Sequence, residues 1–500
     1  MMGGMSAALS YPARSDAGPR SAAIASGLIA ALGAACLFAL AAFSKAVLGD
    51  GDTWSHIATG EWIFAHGAIP RSDPFSHSMP GAPWVAHEWF SEVLLALAYR
   101  FAGWSGVALL AACAAGSAAL IVGMRAARDL SGAALALTLM LGLGLWTANL
   151  LARPHVLVLP LLAAWAVGLM EARDRGESPP LWLALLMIPW ANMHGGFVFG
   201  LALIAPFALE AAEGAAPGER LETVAHWTLF GLAGLAAALV NPYGVEALLF
   251  PFRLMAMANL SRISEWEPQQ FSHIGPLEIA LLALVGFALT RPARTPPARA
   301  GLVVLLIAMA LAHVRHAQLL GLLGPMLLAA PVAAAVAAPR LNVAERGQAK
   351  RVAIVAALAA ALIMAAVRIA APVDRADGHG APISALAAVP EELRQKPVLN
   401  DYGFGGYLIF SDVKPFIDGR ADMYGDDMLE LYRKLVAGEE AALEDTVKRY
   451  RIAWTMFSPD ARIVTVLDHA PGWRRLYSDR VAVVHVRDAA ASAAVELRGD

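Results

Sequence analysis

Apolar runs of roughly 18–25 residues, about the length a helix needs to cross a bilayer, recur along most of the chain between short polar stretches. They predict about eleven spans, near 21–48, 105–124, 131–149, 153–171, 180–194, 196–212, 223–241, 276–290, 299–313, 317–337 and 351–371. Pro154, Pro160, Pro189, Pro206, Pro325 and Pro331 fall at or inside these runs and predict kinked or short helices. A membrane tolerates such breaks where neighbours or a cavity satisfy the freed backbone groups. Glu88–Phe101 sets Trp89, Phe90, Val93, Leu94 and Leu97 near one face, the pattern of a helix lying in the interface. Gly103 to Gly106 then turns the chain into the second span.

From about Ala381 the pattern changes. Val398–Asn400, Tyr407–Phe410 and Pro415–Asp418 read as short strands, Met428–Val436 and Glu439–Tyr450 as helices, Ile452–Phe457 as a strand and Arg474–Arg487 as a closing hairpin. The predicted fold class is an α-helical polytopic membrane protein with a small C-terminal α/β domain. The transmembrane domain covers 21–372 and carries a first external loop at 50–90. Residues 381–489 form the α/β domain, roughly 110 residues, enough for a core of its own. Disordered tails are expected at 1–20, on the cytoplasmic side, and at 490–500.

Composition agrees with this pattern. The chain is 58% hydrophobic and 16% charged, where a soluble protein carries about a quarter charged residues. The two cysteines, Cys36 and Cys113, lie in apolar runs and give neither a CxxC pair nor a disulfide framework. The net charge of -3 is uninformative, because its distribution across the membrane is what matters. Nothing in it points to nucleic acid. Arg125, Arg128, Arg173, Arg175, Arg220, Arg291, Arg294, Arg299, Arg340, Arg346, Lys350 and Arg351 fall in one set of alternate loops, which the positive-inside rule places in the cytoplasm. The N-terminus is then cytoplasmic, and the first loop and the C-terminal domain are extracytoplasmic.

The candidate chemistry lies on that outer side. Asp50 and Asp52 flank Gly51 where the first span ends. A carboxylate there can take a proton from a hydroxyl or help to hold a metal; a polar helix end is the plain alternative. His56 and Glu61 follow on a short predicted helix, and Asp73, His77, His87 and Glu88 complete a loop whose ionisable groups are costly beside lipid unless they face water or do chemistry. His87-Glu88 lacks the second histidine of HExxH, because Ser91 stands there. Arg153, His155, Asn192, His194, Tyr243, Arg315 and His316 fall at span ends on the same side. Together they offer guanidinium and imidazole donors suited to a phosphate or pyrophosphate. Asp418-Gly419-Arg420 with Asp422 reads as a turn held by an Asp–Arg pair. Trp54, Trp62, Trp84 and Trp89 suit membrane anchoring or stacking on sugar faces.

Asp52-x-Trp54-x-His56-x-x-x-Gly60, then Asp73-Pro74-Phe75-Ser76, Trp84 and Glu88-Trp89, resembles the first external loop of bacterial polytopic proteins assigned to the GT-C glycosyltransferase superfamily. Arg153-Pro154, Trp190-Ala191-Asn192-x-His194-Gly195 and Asn241-Pro242-Tyr243-Gly244 follow in the order seen in that group. Tyr402-Gly403-x-Gly405-Gly406-Tyr407-Leu408 and Ile417-Asp418-Gly419-Arg420 resemble its C-terminal domain. The resemblance implies a GT-C-like transferase of the bacterial cytoplasmic membrane. Such an enzyme moves a sugar from a polyprenyl-phosphate carrier to an extracytoplasmic glycan, lipid or protein acceptor. It implies an acidic base in the first loop, Asp52 with Asp50 second, and substrate contacts from His56, Asp73, Glu88 and the outer-side residues named above. It implies no certain cofactor and leaves a divalent cation open. A flippase of lipid-linked glycan and a non-catalytic assembly factor are the rival readings.

The topology is testable by reporter fusion. Alkaline phosphatase joined after Asp500 should be active and joined at Gln348 inactive; the reverse pattern would put the acidic loop in the cytoplasm and overturn the site.

Overall fold

The computed structural model describes residues 19–258, 266–291, 294–338 and 340–488. The tail expected at 490–500 lies outside the described residues, and of 1–20 only Pro19 and Arg20 are described, as the start of the first helix. Each of the eleven predicted runs folds as helix. Among the described residues seven helices are long and apolar enough to cross a membrane: Arg20–Phe43, Trp89–Ala126, Gly132–Asn149, Pro154–Arg175, Phe197–Gly214, Val314–Ala335 and Val343–Ala370. Leu181–Met193, Pro276–Thr290 and Pro297–Ala312 are apolar but shorter, and Arg220–Ala238 carries Arg220, Glu222 and His226 in its first turns.

Some of the breaks follow the prolines, whereas Pro325 and Pro331 lie inside the continuous helix Ala317–Ala335. Pro154 opens a four-residue helix, Pro154–Leu157, and Pro160 stands in the first turn of Leu159–Arg175. Pro189 follows a 3-10 turn at Leu181–Leu186 and lies in the short helix Met187–Met193. Each ring removes a backbone donor, which the first turn of a helix leaves unbonded in any case. Three helices frame the site: α1 (Pro19–Phe43), α2 (Asp52–His66) and α3 (Trp89–Ala126). The turn expected after the interfacial segment is present inside α3, where Ala102 and Gly103 leave helical geometry and Gly103 adopts φ 55°. α1 packs along α3 and along Val343–Ala370, so the first and last spans lie together.

At the end of the bundle away from Asp52, Arg125, Arg173 and Arg299 meet Asp129, Asp174 and Glu210. Arg299 lies 2.8 Å from Glu210 and 3.0 Å from Asp174, and Arg125 lies 2.9 Å from Asp129 and 3.0 Å from Asp174. Buried charges persist only when paired in this way, and the network ties together four helices, Trp89–Ala126, Leu159–Arg175, Ile204–Gly214 and Pro297–Ala312.

The C-terminal domain is built on a four-stranded sheet ordered β1 (Val398–Asn400), β2 (Trp454–Phe457), β4 (Val483–Arg487), β3 (Trp473–Ser478). β1 runs parallel to β2, and the other pairs are antiparallel. Two expected strands are absent. Tyr407–Phe410 ends a helix, Gly405–Phe410; a short apolar run does not distinguish strand from buried helix by periodicity, and this one is buried against α2. Pro415–Asp418 is irregular because Asn400 takes its backbone groups. The Asn400 Oδ1 accepts from Phe416 N at 2.7 Å, and its Nδ2 donates to Ile417 O at 2.8 Å.

The domain is joined to the membrane bundle along a seam of glycines. A Cβ on Gly406 would collide with the Gly51 carbonyl oxygen, one on Gly51 with the Gly403 oxygen, and one on Gly419 with the Asp52 carboxylate. Beside the seam, Trp54 packs edge-on against Trp104, Tyr407 and Phe410 with ring centres 4.2–5.0 Å apart. The Arg375 guanidinium of the connecting segment stands 4.8 Å from the Trp104 ring and 5.1 Å from that of Trp54. Trp54 and Trp84 are both buried, so neither is a membrane anchor or a sugar platform.

Widening the seam should unfold it. Gly406→Val forces two backbones apart and is expected to cost about 1–3 kcal/mol, as overpacking does. Gly347→Ala, with no atom within 4 Å of the added Cβ, should cost nothing. Thermal unfolding of the detergent-solubilised protein should therefore show a lower midpoint for the first variant alone; equal midpoints would mean that the seam is not a tight contact.

Candidate functional site

α2 starts at the seam. The Asp50 side chain accepts from the Asp52 backbone N–H at 2.7 Å, which fixes the turn out of the first span. Arg153 sits in extended conformation immediately before the Pro154 helix. Its two terminal nitrogens reach Asp52 at 2.6 Å and Asp50 at 3.2 Å. One guanidinium thus bridges both carboxylates, and the Asp418–Gly419–Arg420 turn lies over Asp52. Among the described residues no group of three or more His, Cys, Asp or Glu side chains is placed to hold a metal. One oxygen of each carboxylate is turned to Arg153 and the second oxygen of Asp50 to the Asp52 N–H, so this pair does not fit a cation as it stands.

Four residues along α2 from Asp52, and hence on the same face, is His56. Its Nδ1 lies 3.3 Å from Glu92 and its Nε2 3.9 Å from Glu88. Glu88 and Glu92 are themselves four apart at the start of α3. Glu88 also faces His87 at 3.7 Å and His194 at 3.8 Å. Burial alone would raise the Glu88 carboxyl, but His87, His56, His194 and Arg153 hold it below the usual carboxylate range. Burial drives His194 down to about 3, against the pull of Glu88 and with Arg315 adding to the fall. For His56 burial pulls down, yet the Glu92 hydrogen bond and the charges of Glu88, Glu92 and Asp52 outweigh it, and the imidazole is raised above 6.5. Asp422 borders this cluster from the C-terminal domain; burial pushes it up to about 6, against His87 and Arg420.

The Asp–Arg turn forms as expected and does more than close a loop. Arg420 binds both oxygens of Asp418 at 2.7 Å and reaches Asp73 of the first loop at 2.6 Å. Its guanidinium stacks 4.8 Å from Trp84 and 5.2 Å from Phe75. Burial would raise Asp418, but Arg420 and then Tyr424 hold it low. Asp73 also accepts from Phe75 N at 2.9 Å and bonds Ser76, so it is a buried rivet between loop and domain.

Two more of the expected substrate contacts are scaffold. Asn192 accepts from the Trp89 indole at 2.9 Å and donates to Ile188 and Val240 carbonyls. Tyr243 donates to Pro70 O and accepts from Ala86 N, both at 3.0 Å, clamping the two ends of the loop. His155 bonds Asn149 O at 2.9 Å, and its ring lies 6.4 Å from that of His194. Arg315 stacks 4.5 Å from Trp266, and the His316 ring lies 5.3 Å from that of His313. The cluster therefore gathers Asp50, Asp52, His56, Glu88, Arg153 and His194, with His155 and Arg315 at its edge. Sequence reasoning gave Glu92 no role; its signal was the four-residue spacing from Glu88, opposite the same spacing from Asp52 to His56.

No protein-family model matches the chain, and no curated protein matches it. Solved structures do. The archaeal oligosaccharyltransferase AglB from Archaeoglobus fulgidus, in complex with an inhibitory peptide and a dolichol-phosphate, aligns with a TM-score of 0.51 over 93% of this chain and 74% of that one, at 12% identity. The apo oligosaccharyltransferase of the same organism aligns with 0.50 over 86% and 69%, at 12% identity. ArnT from Cupriavidus metallidurans covers 93% and 98% at 14% identity, but its TM-score is 0.47 and nothing rests on it. At these identities it is the fold that is shared. The chain is a multi-pass membrane protein with a GT-C-type fold and a small C-terminal sheet domain.

Proposed function

We propose that this protein is a membrane glycosyltransferase that moves a sugar from a polyprenyl-phosphate carrier to an extracytoplasmic glycan, lipid or protein acceptor. The observation that carries the reading is Arg153, a guanidinium held by two carboxylates at the membrane edge, with His155, His194 and Arg315 around it. A guanidinium is suited to a phosphate, and an incoming donor phosphate competes with Asp50 and Asp52 for it. The fold is shared with an oligosaccharyltransferase solved in complex with a dolichol-phosphate, which agrees with a lipid-phosphate donor. A lipid phosphate is already a leaving group, so the site need only orient it, neutralise charge and remove one proton.

In this reading Asp50 and Asp52 aim the guanidinium, and the remainder of the cluster faces the sugar and the acceptor. The buried Arg420 and Asp418 keep the C-terminal domain in place as a wall of the site. The protein resides in the bacterial cytoplasmic membrane with its N-terminus inside and residues 381–489 outside. A flippase is the weaker reading, because the ionisable groups gather at one end of the bundle and not around a cavity at mid-membrane.

The test is sugar transfer in washed membranes from labelled polyprenyl-phosphate hexoses and pentoses. Arg153→Gln should weaken donor binding, seen as a raised KM. Asp52→Asn, which leaves the guanidinium misaimed, should lower turnover by about 10²-fold, the cost of displacing a positioning group by an ångström or so. Asp50→Asn, on the longer contact, should be milder. Full transfer in all three variants, with normal insertion, would overturn the reading in favour of a transport or binding role.

A further inference from the structure

We infer that the proton of the acceptor hydroxyl is taken by His56, held in position by the buried Glu92. The inference rests on the glycosyltransferase reading and assigns the base within it. The acidic pair that the resemblance implies for this task, Asp52 with Asp50, is bound to Arg153 at 2.6 and 3.2 Å. A carboxylate whose oxygen is taken by a guanidinium is the weaker choice of proton acceptor.

His56 has the geometry of an oriented base. One ring nitrogen, Nδ1, lies 3.3 Å from Glu92, so the carboxylate fixes the tautomer and the ring plane. The other, Nε2, lies 3.9 Å from Glu88, beyond hydrogen-bond reach, and takes no proton from it. Glu92 is buried, and its second oxygen has no hydrogen-bond partner among the described residues. A carboxylate kept in such a place is costly unless a neighbouring group carries positive charge during the reaction. The imidazole can gain that charge by taking a proton.

The step balances. The acceptor oxygen bonds to the anomeric carbon, and the bond from that carbon to the phosphate oxygen breaks. The electron pair leaves with the phosphate as polyprenyl monophosphate, and the hydroxyl proton moves to Nε2 of His56 and later to water. The charged groups facing His56 are Asp52 from its own helix and Glu88 and Glu92 from α3. His87 and His194 lie on the far side of Glu88, and Arg153 lies beyond Asp52.

These surroundings raise the imidazole above 6.5, and a base must be neutral to act. Turnover should therefore fall as pH drops through a midpoint above 6.5. The experiment is the pH dependence of kcat in washed membranes with labelled polyprenyl-monophosphate glucose, or with whichever hexose or pentose form the wild type turns over. His56→Gln should lower kcat by about 10²–10⁴-fold, abolish the acid limb and leave donor KM nearly unchanged. Glu92→Gln keeps the imidazole but removes the partner that raises it, so the acid limb should move to lower pH. Carbon-13 histidine NMR of the solubilised protein, which needs no substrate, should show the same downward move of the His56 midpoint. An acid limb that persists in His56→Gln, or a wild-type limb near 4 where carboxylates titrate, would overturn the assignment and return the role to Asp52. A wild type with no transfer from any polyprenyl-phosphate sugar would instead overturn the underlying function.

Discussion

The structure depends on one close contact, the approach of the C-terminal domain's backbone to the Asp50–Gly51–Asp52 segment. No side chain fits between Gly406 and Gly51 or between Gly419 and Asp52, so the domain lies directly on the end of the first span. Everything polar nearby follows from that approach. Asp50 and Asp52 are enclosed and need a counter-charge, which Arg153 supplies. Asp73 and Asp418 are enclosed too, and Arg420 serves both. The enclosure also strengthens each of these interactions, since a charge pair removed from water is screened less.

The site has two electrostatic halves. Around Arg153 a fixed positive charge is shared by two carboxylates, an arrangement that an anion can enter by exchange. Around Glu88 and Glu92 a pair of carboxylates is surrounded by the imidazoles of His56, His87 and His194. The first half suits a phosphate that arrives and leaves with its charge. The second suits a hydroxyl that must lose a proton. Asp52 and His56, one helical turn apart on α2, connect the two halves.

Much of this was legible in the sequence, and what was not has physical reasons. The apolar runs and their prolines located the helices, because hydropathy over a bilayer-length window is a strong signal and proline breaks are local. Asp50, Asp52, His56, Glu88, Arg153 and His194, named from the sequence as candidates, lie near one another in the structure. Asn192, Tyr243 and Asp73 were read as substrate contacts but bond to the loop and the domain, a distinction set by three-dimensional partners that no spacing encodes. Tyr407–Phe410 was read as a strand because four apolar residues carry no period, and its helix is settled by packing on α2. The burial of Trp54 and Trp84 was hidden for the same reason: both belong to a contact between segments more than 300 residues apart.

In the proposed function the donor phosphate binds at Arg153, between the end of the first span and the C-terminal domain. A structure of the protein with a bound polyprenyl monophosphate tests it most directly. The phosphate should lie within hydrogen-bond reach of the Arg153 guanidinium, with Asp50 or Asp52 released from it and His56 facing the space beside the phosphate. A phosphate bound elsewhere, with Arg153 still bridging both carboxylates, would rule out Arg153 as the phosphate site.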